Sequence, residues 1–163
     1  VNVVISSYVE RQSKICQSPV LEIGSLLLHG HDHIESMRGH LAGFDYIGVD
    51  ICSGPGVDQV CDGKELPFRD EFFSTVLCLE TLEHVDYPLK VIGEIHRVLR
   101  YSGKFIFSTP FFHEIHEYPS DYWRFTPQCW DEVLLRDFGY REVKQSPPKA
   151  MTPRYVMGYA IKE

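Results

Sequence analysis

The densest chemistry in this chain lies in the stretch FFHEIHEYPSDYWRFTP, residues 111–127. It holds His113 and His116, three carboxylates, two tyrosines, Trp123 and Arg124, punctuated by Pro119 and Pro127. Such a set can ligate a metal, stack bases, or cover and orient a small substrate. The spacing HEIHE (113–117) is not the H-E-x-x-H of a helical zinc site, and Pro110 and Pro119 on either side disfavour a regular helix there. Stacking on nucleic acid needs neighbouring basic residues, and only Arg124 is close. A second cluster, HGHDH (29–33), is one residue short of the H-x-H-x-D-H of binuclear hydrolases and lacks further ligands in register. Neither cluster is read as a metal site. The stretch at 111–127 reads best as a lid facing a substrate. In it Arg124 can fork onto an anionic group and His116 can take a proton from an attacking hydroxyl or amine. Pairing of Arg124 with Asp121, with the aromatics packing the lid, is the structural alternative.

The elements before the lid define where it sits. Short apolar runs alternate with helical patterns. Helix is expected over 6–16 (capped by Ser6 or Ser7), 32–39, 86–100 and 126–140, the last with Thr126 as cap and Pro127 at its first position. Strands are expected over 19–25, 44–50, 58–62, 74–80, 103–110, 141–146 and 154–162. Alternating strands and helices imply an α/β fold: a Rossmann-like, seven-stranded, mostly parallel sheet with helices on both faces. The last two strands have no helix between them and form an antiparallel pair. With no linker and no repeat, residues 1–163 read as a single domain. Ligands of such sheets lie beyond the carboxyl ends of the strands. Those ends are Gly24, Asp50, Asp62, Glu80 and Pro110. Asp50, at the end of the second strand, suits the two hydroxyls of a ribose. The absence of G-x-G-x-x-G after the first strand argues against a pyrophosphate.

The net charge of −7, from 16 basic and 23 acidic residues, disfavours a nucleic-acid or anionic-membrane surface. The five cysteines form no C-x-x-C and read as buried, reduced thiols of a cytoplasmic protein. No run is long enough for a membrane span and no signal peptide is expected.

The segments VLEIGS, YIGVDI, VCDGKELPFRDEFFSTVLCLETLEHV, EIHRVLRYSGKFIFSTP and HEYPSDYWRFTP, in this order, resemble class I S-adenosylmethionine-dependent methyltransferases of the small-molecule type. The resemblance implies S-adenosylmethionine as cofactor. Glu22, Gly24 and Ser25 would lie along its methionine part and Asp50 would hold the ribose hydroxyls. Ile51 would lie against the adenine, with Asp62 and Gly63 at its edge, and Glu80 would face the sulfonium. His84 and His116 are the candidate catalytic groups, and Tyr122 and Arg124 the candidate substrate contacts. The implied reaction is methyl transfer to an O or N atom of a small molecule or glycan. The alternative is a non-catalytic binding module of the same fold, because GSLLLHG (24–30) departs from the usual G-x-G loop; RYSGK (100–104) departs from KPGG, which affects a turn more than the site. A homo-oligomer is compatible with the sequence.

Overall fold

The computed structural model describes residues 3–27, 36–116 and 120–163. Seven strands form one sheet: β1 (Val20–Ile23), β2 (Tyr46–Asp50), β3 (Gln59–Val60), β4 (Phe73–Leu79), β5 (Leu99–Pro110), β6 (Tyr140–Ser146) and β7 (Tyr155–Ile161). Their order is β3-β2-β1-β4-β5-β7-β6. The first five are parallel, and β7 runs antiparallel between β5 and β6. The expected sheet and its antiparallel end are therefore present.

Each face is covered by helix because the central strands are apolar on both sides. Every residue of β1 and β4 is buried. On one face, Ile5, Tyr8 and Val9 of α1 (Val3–Ser13) and Met37 of α2 (Met37–His40) pack with Val20, Leu77, Ile106 and Met157. On the other, Val91, Ile92, Ile95 and Val98 of α3 (Pro88–Val98) pack with Leu21, Ile23, Cys78 and Phe105. That face is completed by α4 (Pro127–Cys129), which runs directly into a π-helical turn, Trp130–Leu134. Trp130 stacks on Phe107 with 3.8 Å between ring centroids, and its Nε1 donates to Thr109 Oγ1 at 3.0 Å.

Several boundaries differ from the sequence reading, for local reasons. α1 starts earlier, so Ser6 is interior and its hydroxyl donates back to Val3 O. α3 ends at Val98 because Leu99 is already extended and pairs with Phe73. The helix after Thr126 is shorter than expected, ending at Leu134, where Leu135 N bonds Trp130 O in an i→i+5 turn. Its cap is as expected, with Thr126 Oγ1 accepting from Cys129 N. The start of the expected 32–39 helix, and the whole HGHDH cluster, lie outside the described residues. None of the five cysteines is paired; Cys16 and Cys78 are buried as expected, but Cys52 is exposed. No helix among the described residues is long and apolar enough to cross a membrane.

Candidate active site

The carboxyl ends of β1, β2 and β4, with the loop after β3, enclose a cavity of about 450 Å³. Ile23, Leu26, Ile51, Val85 and Val91 give it apolar walls, and Asp50, Asp62, Glu80 and His84 place polar groups in it. This is the size and character of a small-molecule site. Gly24 opens it. Its φ is +79°, and a Cβ there would lie 2.1 Å from Thr81 Oγ1, so only glycine fits the turn that brings β1 against the loop after β4.

Asp50 is oriented by its own loop. Its Oδ2 accepts from Leu26 N at 3.3 Å and its Oδ1 from Cys52 N at 3.0 Å. Each oxygen keeps a lone pair for a ligand. Asp62 is held similarly, accepting from Lys64 N at 2.8 Å, while Lys64 Nζ reaches Asp86 at 2.7 Å across the rim. Ile51 is 61% exposed, an apolar side chain left at the cavity wall. Gly63 also lines the wall, beside Ile23.

Glu80 directly follows β4 with φ +49°, its Oε1 accepting from Ser108 Oγ at 3.0 Å. Burial raises its pKa to about 7. One turn on, in the 3-10 turn Leu82–His84, Glu83 is fully buried and neither of its carboxylate oxygens has a hydrogen-bond partner. Burial, then the neighbouring Glu80, pushes its carboxyl well above the usual range. The pattern of the sequence singled out Glu80 and His84 but missed Glu83.

Glu22 and Ser25, expected beside the cofactor, do not line the cavity. Glu22 turns to the opposite face of β1, where it accepts a hydrogen bond from Tyr46 OH. Burial there raises its pKa to about 7. Ser25 is buried against the backbone of Gly48 and Gly56.

The lid is clamped onto the loop after β4. Tyr122 N donates to Glu83 O at 2.7 Å and Trp123 Nε1 to Val85 O at 2.8 Å. Arg124 forks onto Asp121, at 2.5 and 2.8 Å, and also donates to Trp123 O and Glu114 O. Most of its donors are thus spent within the lid, and the structural alternative describes it better than a substrate anchor. Arg124 in turn holds the Asp121 carboxyl well below its usual range. Tyr122 is 55% exposed, away from the cavity wall. His116 packs edge-on against His84, with ring centroids 5.0 Å apart, so the two candidate catalytic groups do meet. Desolvation lowers the His84 pKa and favours its neutral form.

Residues 33–107 match a family model described as "Methyltransferase domain". Over these residues the chain is similar to the class I S-adenosylmethionine-dependent methyltransferases. A methyltransferase relative is the ubiquinone/menaquinone biosynthesis C-methyltransferase UbiE of Desulfotalea psychrophila, 42% identical over 53 residues, 32% of this chain and 22% of that one. An uncharacterized protein, MJ0638 of Methanocaldococcus jannaschii, is 54% identical over 41 residues, 25% of this chain and 18% of that one. The matches thus span about a fifth of the length of these curated relatives. In fold, the methyltransferase domain resembles the Burkholderia thailandensis 1,6-didemethyltoxoflavin-N1-methyltransferase, with a TM-score of 0.72 at 20% identity, covering 96% of this chain and 76% of that one.

The cavity suits the family's cofactor on its own geometry. A preoriented Asp50 carboxylate with spare lone pairs fits a ribose, apolar Ile51 and Val91 fit an adenine face, and no phosphate cradle is needed.

Proposed function

We propose that this chain transfers a methyl group from S-adenosylmethionine to an oxygen or nitrogen atom of a small molecule or glycan. The observation that carries this reading is the cavity at the strand ends, where Asp50 is held by two backbone N–H groups across from Glu80 and His84. When bound, S-adenosylmethionine supplies an electrophilic methyl group whose departure leaves a neutral thioether, so no acid is required at the leaving side. The chain's own residues then have three tasks. Asp50 and Asp62 fix the nucleoside end. Ile23, Val85 and Val91 keep water from the apolar wall. His116 and His84, adjacent at the inner edge of the lid, accept a proton where the acceptor must lose one.

The net charge of −7 supports an acceptor that is neither nucleic acid nor an anionic membrane surface. The test is direct. Protein with radiolabelled S-adenosylmethionine is incubated with pooled sugars, phenols, hydroxy acids and amines, and S-adenosylhomocysteine formation is measured. Turnover dependent on one pool supports the reading. Tight S-adenosylhomocysteine binding with no turnover on any pool, or on nucleic acid alone, would reverse it.

A further inference from the structure

Beside His84, which lines the cavity, lies a cluster whose donor set goes beyond what methyl transfer requires. One ligand atom from each of Glu83, His84 and His116 lies within 4.8 Å of the other two. Glu83 is 0% exposed, neither oxygen has a hydrogen-bond partner, and Oε1 stands 3.6 Å from His84 Nε2. A buried carboxylate without donors is costly unless something supplies positive charge or protons to it.

The two imidazoles are oriented to supply lone pairs, not protons. His84 Nδ1 lies 2.5 Å from Ser120 O. A carbonyl can only accept, so Nδ1 carries the hydrogen and Nε2 keeps its lone pair. His116 Nδ1 likewise faces Glu114 O at 3.2 Å and Asp121 Oδ2 at 3.3 Å, which frees its Nε2. An Nδ1–H held by a carbonyl or a carboxylate is the usual outer support of a metal-ligating histidine. Asp121 is itself locked by Arg124, so this support is rigid.

We propose that Glu83, His84 and His116 bind one divalent transition-metal ion, of the zinc or cobalt kind, at the wall of the cavity. Two imidazoles and one carboxylate form a donor set suited to such ions, with positions left open. Ligand bonds of about 2.0–2.1 Å require donor atoms somewhat over 3 Å apart. The Glu83–His84 pair, at 3.6 Å, is nearly there. The other charged groups at the site are Glu80, which adds to its negative character, and Arg124, whose charge Asp121 offsets. His84 also lines the cavity, so an open position there can take an acceptor oxygen. That last role rests on the methyl-transfer reading: the ion would ease loss of the acceptor's proton to water, and His84 and His116, with Nε2 on the ion, would then serve as ligands in place of proton acceptors. Binding itself does not rest on it.

The test uses tag-free full chain stripped with chelator, titrated calorimetrically with Zn²⁺ and followed with Co²⁺ by visible absorption. The expected result is one ion per chain, a Co²⁺ spectrum of low coordination number, and affinity at least 100-fold weaker in His116→Ala and in Glu83→Gln. His116 lies in the lid, so its variant remains informative if the buried Glu83 variant fails to fold. Thermal stabilisation by S-adenosylhomocysteine is measured in parallel and reports the cofactor reading separately. Absence of stoichiometric binding in folded protein would overturn the proposal. So would binding that persists in His116→Ala but disappears in His31→Ala, which would assign it to the HGHDH cluster.

Discussion

Replacing Asp50 by alanine should abolish most of the stabilisation that S-adenosylhomocysteine gives this protein. In the native loop each Asp50 oxygen already accepts one backbone N–H, from Leu26 and from Cys52, so the carboxylate is fixed before a ligand arrives. Two ribose hydroxyls would each donate to it, and hydrogen bonds to a charged group contribute about 1.5–3 kcal/mol apiece. Part of this returns when the freed hydroxyls meet water, so a loss of about 3 kcal/mol, or roughly 100-fold in dissociation constant, is reasonable.

The assay is thermal unfolding at a fixed ligand concentration of about 100 times the wild-type dissociation constant, where linkage gives about 2.7 kcal/mol. For a chain of 163 residues, at roughly 2–4 °C per kcal/mol, this is a rise of about 5–11 °C. In Asp50→Ala the same concentration only equals the weakened constant, leaving about 0.4 kcal/mol and a rise of about 1–2 °C. The variant also loses two loop hydrogen bonds, so its unliganded melting temperature falls. Comparing each protein with and without ligand removes that effect. A wild-type-sized rise in the variant would refute the assignment of Asp50 to the ribose.

Gly24→Ala should cost on the order of 1–3 kcal/mol and abolish S-adenosylhomocysteine binding, because a Cβ at φ +79° would also strike Thr81 Oγ1; an unchanged urea midpoint would contradict this. Glu22→Gln should flatten part of the pH dependence of stability. Folding raises the Glu22 pKa from 4.5 to about 7, so the native state holds this proton more tightly and the group's contribution is full below about 4.5. It is then lost as pH rises to about 7. The loss is on the order of 3 kcal/mol in wild type, and urea midpoints at pH 5 and pH 8 should show it shrink in the variant. A final prediction concerns Glu80, whose pKa burial raises to about 7. Its carboxylate forms as pH rises through that value and favours a sulfonium over a neutral thioether. The affinity for S-adenosylmethionine relative to S-adenosylhomocysteine should therefore increase several-fold between pH 6 and 8, and a flat ratio, or one unaltered in Glu80→Gln, would count against a sulfonium beside Glu80.

The sheet was legible because its central strands are short apolar runs between glycines and helical patterns, and because the last two strands lack an intervening helix. The placing of Asp50 and Asp62 in the cavity wall was legible because a carboxylate at or just after a strand end lies where ligands of such sheets collect. Glu22 was not. β1 is buried on both faces, so alternation could not say which way Glu22 turns, and Tyr46 on the neighbouring strand takes it away from the cavity. Glu83 was hidden for a related reason. Between Leu82 and His84 it has no periodic neighbour to reveal its direction, and only the 3-10 turn brings it inward. Arg124 was overread, since its chemistry suits a substrate anion but Asp121, three residues earlier, claims the fork first.

The lid therefore divides into two parts that its composition alone does not separate. Asp121, Arg124 and Trp123 spend their polar groups on each other and on the backbone of Glu114 and Val85, while Tyr122 and Trp123 bind the backbone of Glu83. This fastens the lid to the turn after β4 without using the Glu83 carboxylate. Because Glu83 O is the clamp, its side chain is left to face inward, and because Ser120 O and Asp121 take the Nδ1 sides of the histidines, their other nitrogens stay free. On the proposed reading, acceptor chemistry at this end falls to Glu80, Glu83, His84 and His116, and Asp121, Trp123 and Arg124 serve to aim them.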